Sequence, residues 1–188
     1  MEDDDQQIFR YLYREAKPKR HLEFGTWQGA GTVYCLQECE ATVWTINLLE
    51  GERRADGQTA YDRSSDAGQG IGRFYLEAGL GHRVCQIFAD TRIWDTRNYP
   101  ADFFDTVLID GGHQADVVVS DTKKAIAVLR SGGLCLWHDF APDPAVFGVS
   151  SATIGVAQGI RDAWPEIKES MSDVFYIWPS QILVGVRR

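Results

Sequence analysis

The sequence predicts an α/β fold, in which a mostly parallel β-sheet is covered on both faces by helices and ends in an antiparallel hairpin. Two observations predict it. Short runs rich in β-branched and aromatic residues alternate with helical stretches, as in strands joined by crossover helices. Near the C-terminus, strand-like runs over 174–178 and 182–186 are separated only by residues 179–181. Three residues can form a hairpin but are too few for a parallel crossover.

Each element is placed by its local pattern. The strands are short apolar runs, and the run over 42–48 is rich in the β-branched residues that strands favour. The last helix is expected to stop at Trp164, because Pro165 follows it. In chain order, the sequence predicts a helix near 6–17, a strand at 21–24, a helix at 31–40, a strand at 42–48, a helix at 70–79, strands at 83–88 and 104–109, a helix at 114–130, a strand at 134–137 and a helix at 155–164.

Residues 51–70 form an irregular stretch that is rich in Gly, Asp, Ser and Arg. A loop of this length inside a compact domain is usually either functional or disordered. Both interpretations fit a lid over the substrate, and the sequence leaves that hypothesis open.

Composition limits the classes of function. A chain of 188 residues, with 44% hydrophobic and 24% charged residues, predicts one soluble domain over residues 1–188. The net charge of −8 and the scattered basic residues argue against nucleic acid as a partner. The longest apolar runs are strand-sized, which argues against a membrane span. The acidic start at Met1–Asp5 is unlike a signal peptide, so we expect a cytoplasmic protein.

A glycine-rich turn follows the first predicted strand. Its pattern is Glu23-x-Gly25-x-x-x-Gly29-x-Gly31, and a helix is expected after it. Glycines at such a turn let the backbone approach a ligand that a Cβ would keep away. The spacing differs from the GxGxxG of dinucleotide sites, and the leading acidic residue suits a cationic sulfonium better than a pyrophosphate. The turn therefore indicates S-adenosylmethionine (SAM), although a glycine-rich turn without function remains the alternative.

Four segments together resemble a known family. They are 22–32, 87–90, 105–113 and 131–139. In these segments the chain is similar to small-molecule O-methyltransferases of the macrocin and catechol O-methyltransferase type, and the resemblance runs from Glu23 to Arg187. It implies a Rossmann-like class I SAM-dependent methyltransferase that moves a methyl group to a hydroxyl of a sugar or phenol of secondary metabolism. The residues then expected to bind the cofactor are Glu23, Gly25, Thr26, Gly29, Gly31, Thr32, Asn47, Asp90 and Asp110.

The resemblance also implies roles for two of these residues. The family has an acidic residue at the end of the second strand that grips the ribose hydroxyls. Asn47 occupies that position here; it can accept a hydrogen bond but has no charge, and Glu50 could compensate. Asp90, after the third strand, corresponds to the residue that accepts from the adenine amino group, and a surface turn is the alternative interpretation.

Two carboxylates end neighbouring strands of the predicted sheet. Asp110 follows the fourth strand and Asp139 follows the fifth, so both should lie at the edge of the sheet where ligands bind. Two carboxylates facing one cleft favour a divalent cation, and oxygen ligands suit Mg²⁺. The catechol-type relatives have a third ligand beside the last Asp, which here would be His138. Imidazole favours Mn²⁺ or Fe²⁺ over Mg²⁺, and a site without metal remains open.

His113 is the expected general base. It lies three residues beyond Asp110, where the resembling enzymes place a Lys or His near the acceptor hydroxyl. A neutral imidazole is suited to removing a hydroxyl proton near pH 7. The alternative is a histidine at the start of the helix that begins near Gln114.

The expected partner is a small hydroxylated acceptor molecule, and a homodimer is possible on this sequence. The alternative functions are a non-catalytic SAM-binding or scaffold protein, a hydroxylase-type relative of the same fold, and an NAD-dependent dehydrogenase. The glycine spacing and the terminal hairpin disfavour the dehydrogenase.

Overall fold

A computed structural model describes residues 3–49, 51–52, 70–148 and 150–188. Two short 3-10 turns lie at Gly81–Arg83 and Thr96–Asn98. The helices are α1 (Asp3–Ala16), α2 (Ala30–Glu38), α3 (Arg73–Glu77), α4 (Ala115–Val128), α5 (Pro144–Phe147), α6 (Ser151–Asp162) and α7 (Trp164–Ser170). The strands are β1 (Arg20–Phe24), β2 (Thr42–Asn47), β3 (Val84–Phe88), β4 (Phe104–Ile109), β5 (Leu129–Trp137), β6 (Met171–Ile177) and β7 (Ile182–Arg187).

The seven strands form one sheet in the order β3-β2-β1-β4-β5-β7-β6. Strands β1 to β5 pair in parallel, whereas β7 is antiparallel to both β5 and β6. The predicted fold class, a mostly parallel sheet with a C-terminal antiparallel hairpin, is confirmed. The chain leaves β1 toward β2 on one side and returns through β4 on the other, so the ends of β1 and β4 form the crevice where such sheets bind ligands.

Helices cover both faces of the sheet, as predicted. Alternate residues of each strand point to opposite faces, and along β4 Val107 and Ile109 join one core while Leu108 joins the other. One core includes Val118 of α4, with α6 and α7 residues beside it. The other core is closed by Phe9 of α1, together with α2.

Some helix and strand boundaries differ from those predicted. β5 begins at Leu129 rather than at 134, directly after α4. The helix predicted for 155–164 begins at Ser151, because Ser150 and Thr153 form a capping box. Helix α7, from Trp164, is absent from the prediction because Pro165 reads as a stop signal, yet proline is well tolerated in the first turn of a helix.

Two further sequence expectations meet the structure here. The proposed lid over 51–70 lies almost entirely outside the described residues, since 53–69 are not described. Within the described ranges, no helix is long and apolar enough to cross a membrane.

Candidate active site

The glycine-rich turn joins β1 to α2 and lies against the end of β4. Gly25 has a φ of +97° and Gly29 a φ of +88°, conformations that side chains other than glycine rarely adopt. A Cβ on Gly25 would lie 2.3 Å from the carbonyl oxygen of Asp110 and 2.5 Å from the Cα of Gly111. Glycine at position 25 is therefore required for the ends of β1 and β4 to meet.

Glu23 supports this turn from within the protein. Its side chain is buried and accepts a hydrogen bond from the Thr32 hydroxyl, which is also buried, and a Cβ on Gly31 would lie 2.2 Å from Glu23 Oε1. Burial raises the pKa of Glu23 to about 8, so the carboxyl holds a proton at neutral pH. A neutral carboxyl has no charge to attract a sulfonium, and Glu23 ties β1 to α2 through Thr32. Its contact with the cofactor stays a prediction.

Asn47 shapes the turn through its side chain. Its Oδ1 accepts hydrogen bonds from the backbone N–H groups of Thr26 and Trp27, each at 3.1 Å, and its Nδ2 donates to the carbonyl of Leu48 at 2.8 Å. This use of the amide explains why an asparagine can stand at the end of β2. The ribose contact of Asn47 stays a prediction, and Glu50 lies outside the described residues.

Thr26 faces a buried hydrogen-bond network rather than the open side of the turn. Its hydroxyl lies 2.7 Å from that of Thr45 and accepts from Gln86 Nε2 at 3.0 Å. The Tyr75 hydroxyl in turn donates to Gln86 Oε1 at 2.9 Å. The side chain of Thr26 thus links β1, β2, β3 and α3, and its backbone carbonyl accepts from the N–H of Gly29 at 2.7 Å. A contact of Thr26 with the cofactor stays a prediction.

Asp90 follows β3, where its family position predicts an adenine contact. Its carboxylate pairs with Arg92, whose Nη2 lies 2.6 Å from Oδ2, and it also accepts from the Arg92 backbone N–H at 2.9 Å. Lys124 of α4 donates to the carbonyl of Arg92 at 2.7 Å, which fixes this loop to the helix. The loop is well held, and the adenine contact stays a prediction.

The strand ends bring Asp110, His113 and Asp139 together. Ile109 of β4 pairs with Trp137 of β5, so the residues that follow both strands are neighbours. Ligand atoms of Asp110, His113 and Asp139 all lie within 4.8 Å of one another, and His113 Nε2 is 2.9 Å from Asp139 Oδ2. This contact raises the pKa of His113. The structure thus brings Asp110 and Asp139 together, as predicted, and places His113 beside them.

Two features that the sequence analysis missed hold this cluster in place. Asp139 has a φ of +56°, which turns the chain sharply after β5. A Cβ on Gly155 would lie 2.0 Å from the carbonyl oxygen of His113, so α6 packs directly on the segment that carries the histidine. No motif marks Gly155, because its role depends on a contact between distant parts of the chain.

His138 contacts this cluster from its buried side. Its Nδ1 lies 2.8 Å from Asp110 Oδ1 and its Nε2 lies 3.1 Å from Asp5 Oδ2, and the ring is 7% exposed. Burial opposes a charge on the ring, but the carboxylates of Asp110 and Asp5 raise the pKa of His138 well above its ordinary value. Both ring nitrogens of His138 thus contact carboxylates, and its role as a cation ligand stays a prediction. The histidine whose ring atoms group with the carboxylates of Asp110 and Asp139 is His113.

The cluster fits a divalent cation by its chemistry. It combines two carboxylates with one imidazole, and all three side chains are partly exposed. Carboxylate oxygens suit Mg²⁺, whereas a nitrogen ligand moves the preference toward Mn²⁺ or Fe²⁺. Without an ion, the contact between His113 and Asp139 gives an oriented imidazole beside the glycine-rich turn, the arrangement expected of a general base.

The fold is shared with solved methyltransferase structures. An O-methyltransferase from Bacillus cereus in complex with S-adenosylhomocysteine is 18% identical, with a TM-score of 0.69 over 100% of this chain and 82% of that one. The O-methyltransferase of tomaymycin synthesis from Streptomyces achromogenes, in complex with SAM, is 19% identical, with a TM-score of 0.65 over 100% and 82%. A methyltransferase from Podospora anserina with bound S-adenosylhomocysteine is 15% identical, with a TM-score of 0.67 over 100% and 80%. At these identities the likeness shows the fold.

Sequence comparison gives the family. No curated protein matches the chain significantly. A family model described as a methyltransferase domain matches residues 22–140, which run from the glycine-rich turn to the residue after Asp139. This match covers more than half of the chain and includes His113, so the protein belongs to the methyltransferase domain family.

Proposed function

We propose that the protein is a SAM-dependent O-methyltransferase that methylates a hydroxyl of a small molecule with the help of a divalent cation. The observation that carries this proposal is the cluster of Asp110, His113 and Asp139. It lies beside the glycine-rich turn of a methyltransferase domain, since Gly25 contacts the backbone of Asp110. A binding scaffold alone would not need an imidazole oriented by a carboxylate next to its cofactor.

SAM is the cofactor that the fold and the turn support. The similar structures from Bacillus cereus and Streptomyces achromogenes were solved with S-adenosylhomocysteine and SAM. In this chain, the turn from Gly25 to Gly29 lies at the carboxyl end of β1, next to the point where the strand order reverses. The side chains of Glu23, Thr26 and Thr32 hold the turn from inside and so fix the shape of the surface that we expect to bind the cofactor.

The reaction is a direct displacement. The acceptor oxygen forms a bond to the methyl carbon while the carbon–sulfur bond breaks, and S-adenosylhomocysteine leaves with the electron pair. His113 takes the acceptor proton, and Asp139, 2.9 Å away, orients the ring and stabilises the imidazolium that forms. Asp110 and Asp139 would hold the cation, which would lower the pKa of the acceptor hydroxyl when bound.

A series of aromatic rings beside the cluster favours a phenol over a sugar as acceptor. Phe140 directly follows Asp139 and meets the edge of Tyr176 at 5.7 Å between ring centroids. The series continues from Tyr176 to Trp178 at 6.4 Å, and from Trp178 to Phe147 at 6.2 Å. Trp178 is 60% exposed, and the Tyr176 hydroxyl already donates to the carbonyl of Ser180. The series therefore offers mainly ring surface, which suits a planar apolar ring.

Methyl transfer can be tested directly. The protein is incubated with methyl-labelled SAM and a panel of catechols, simple phenols and hexoses, with Mg²⁺, with Mn²⁺ or with EDTA, and methylated products are detected by mass spectrometry. We expect products from the phenolic acceptors, at rates that fall strongly in EDTA. Full activity in EDTA would refute the proposed role of a divalent cation in methyl transfer. SAM binding without transfer to any acceptor would favour the scaffold function instead.

A further inference from the structure

We propose that Asp5 and His138 are positioning residues for Asp110, so that helix α1 forms part of the cation site. The three side chains form a continuous chain of hydrogen bonds, which we call the Asp5 relay: Asp5 to His138 at 3.1 Å, and His138 to Asp110 at 2.8 Å. The inference rests on the proposed function, because Asp110 is one of the two carboxylates assigned to the cation.

The relay is buried and its members have little freedom. Asp5 is 3% exposed and His138 is 7% exposed. The second oxygen of Asp5 accepts from the backbone N–H of Gln181 at 3.2 Å, so both oxygens of this carboxylate have partners. Phe9, one helical turn further along α1, packs edge-on against the His138 ring at 5.5 Å between centroids. The ring is thus held by Phe9 and by hydrogen bonds at both nitrogens.

This geometry fixes the carboxylate of Asp110. Its Oδ1 accepts the hydrogen bond from His138, which sets the rotation of the carboxylate and leaves Oδ2 for another ligand. The same ring nitrogen lies 3.6 Å from Asp139 Oδ2, so His138 stands behind both proposed cation ligands. Groups that hold metal ligands in this way raise metal affinity because the ligands need not be ordered when the ion binds.

The attachment of α1 to the rest of the protein does not by itself explain why Asp5 is buried against His138. Arg10, also on α1, forms an ion pair with Glu38 of α2 at 2.8 Å and donates to Gln37 at 2.6 Å. Phe9 and Tyr13 are fully buried against the sheet. The helix thus has polar and apolar anchors besides the relay. A buried carboxylate is costly unless it is well paired, and the partner of Asp5 is the histidine that contacts Asp110.

Manganese affinity tests the relay without a known acceptor. The full chain is titrated with MnCl₂ and the free Mn²⁺ signal is measured by electron paramagnetic resonance, for the wild type, Asp5→Asn and His138→Gln. We expect the two variants to bind Mn²⁺ roughly 10- to 100-fold more weakly, the range usual for groups that hold metal ligands. Glu38→Gln is the matched control: it breaks the Arg10 ion pair of α1 away from the relay and should leave Mn²⁺ affinity unchanged.

The double variant Asp5→Asn/His138→Gln distinguishes positioning from general loss of stability. If both residues act through Asp110, the Mn²⁺ affinity of the double variant should equal that of the single variant with the lower affinity. Wild-type affinity in Asp5→Asn, additive losses in the double variant, or an equal loss in Glu38→Gln would each overturn the relay. If the wild type itself binds no Mn²⁺, the cation of the proposed function fails, and the relay fails with it. Should Asp5→Asn not fold, Asp5→Glu replaces it: the longer side chain displaces the ring, so unchanged affinity would refute the relay and weaker affinity would support it.

Discussion

Gly25 and Asp110 meet so closely that a Cβ on the glycine would lie 2.3 Å from the carbonyl oxygen of the aspartate. The hydrogen bonds around them reinforce the contact: the backbone N–H of Asp110 donates to the carbonyl of Phe24, and that of Gly25 donates to the carbonyl of Ile46, both within 2.9 Å. The turn proposed to bind the cofactor and the strand end proposed to hold the cation are therefore one rigid unit. A side chain at position 25 is therefore expected to displace Asp110.

Gly25→Ala should disrupt this unit. The new methyl group would clash with Asp110, and alanine would also have to adopt a φ of +97°, a conformation that costs about 1–3 kcal/mol. We expect the free energy of unfolding, measured in urea, to fall by more than that backbone cost. Gly79→Ala is the control, since its φ of +71° imposes a similar strain but nothing lies within 4 Å of the new Cβ. Equal losses in the two variants would contradict the argument.

The buried proton of Glu23 predicts a stability that falls as the pH rises. The folded pKa of about 8 lies above the ordinary value of 4.5 because the carboxyl is buried. The folded state therefore holds a proton that the unfolded chain has lost, so this contribution is complete below pH 4.5 and is lost as the pH rises toward 8. The slope is about 1.4 kcal/mol per pH unit.

Glu23→Gln isolates this contribution because glutamine stays neutral at every pH. Relative to the variant, the wild type should lose about 3 kcal/mol of unfolding free energy between pH 5.5 and pH 7.5. Urea unfolding of both proteins at the two pH values, without SAM, measures the difference. A difference between the proteins that does not change with pH would show that Glu23 is ionised in the folded state.

The buried ring of His21 predicts that stability falls as the pH is lowered, the opposite of the dependence predicted for Glu23. Burial lowers its pKa from 6.5 to about 3, while its ring bonds to the Thr106 hydroxyl at 2.8 Å. Below pH 6.5 the unfolded chain binds a proton at His21 that the folded state does not bind, so stability falls as the pH falls. Between pH 6.5 and pH 5 the wild type should lose about 2 kcal/mol relative to His21→Gln. Parallel pH profiles for the two proteins would be evidence against a neutral buried ring.

Most of the fold could be predicted from the sequence because its signals are local. The short apolar runs mark every strand of the sheet, and the three-residue connection at 179–181 determines that the last pair is antiparallel. The start of α6 and the presence of α7 were harder, since a capping box at Ser150 and a tolerated Pro165 each admit more than one local interpretation. These are boundary effects within a fold that the pattern already indicates.

The candidate site divides in the same way. Asp110, His113 and Asp139 follow predicted strands, so their proximity could be inferred from the topology. The orientation of His138 could not be inferred from the sequence. Its partner Asp5 is 133 residues away and lies in a stretch whose composition indicates only an acidic terminus. The neutral state of Glu23 was also hidden, since it depends on complete burial under Thr32 and not on neighbours in the sequence.

His113 is the residue on which turnover should depend most. Its removal takes away the proposed proton acceptor, and general-base catalysis contributes typically 10²- to 10⁴-fold, so His113→Ala should lower the rate of methyl transfer by about that factor. SAM affinity, measured by calorimetry, should remain because the glycine-rich turn is untouched. The control is His82→Ala, an exposed histidine that contacts only the carbonyl of Gly79 among the hydrogen bonds described. Unchanged turnover in His113→Ala would exclude it as the base, whereas a loss of Mn²⁺ binding in that variant would make it a cation ligand instead.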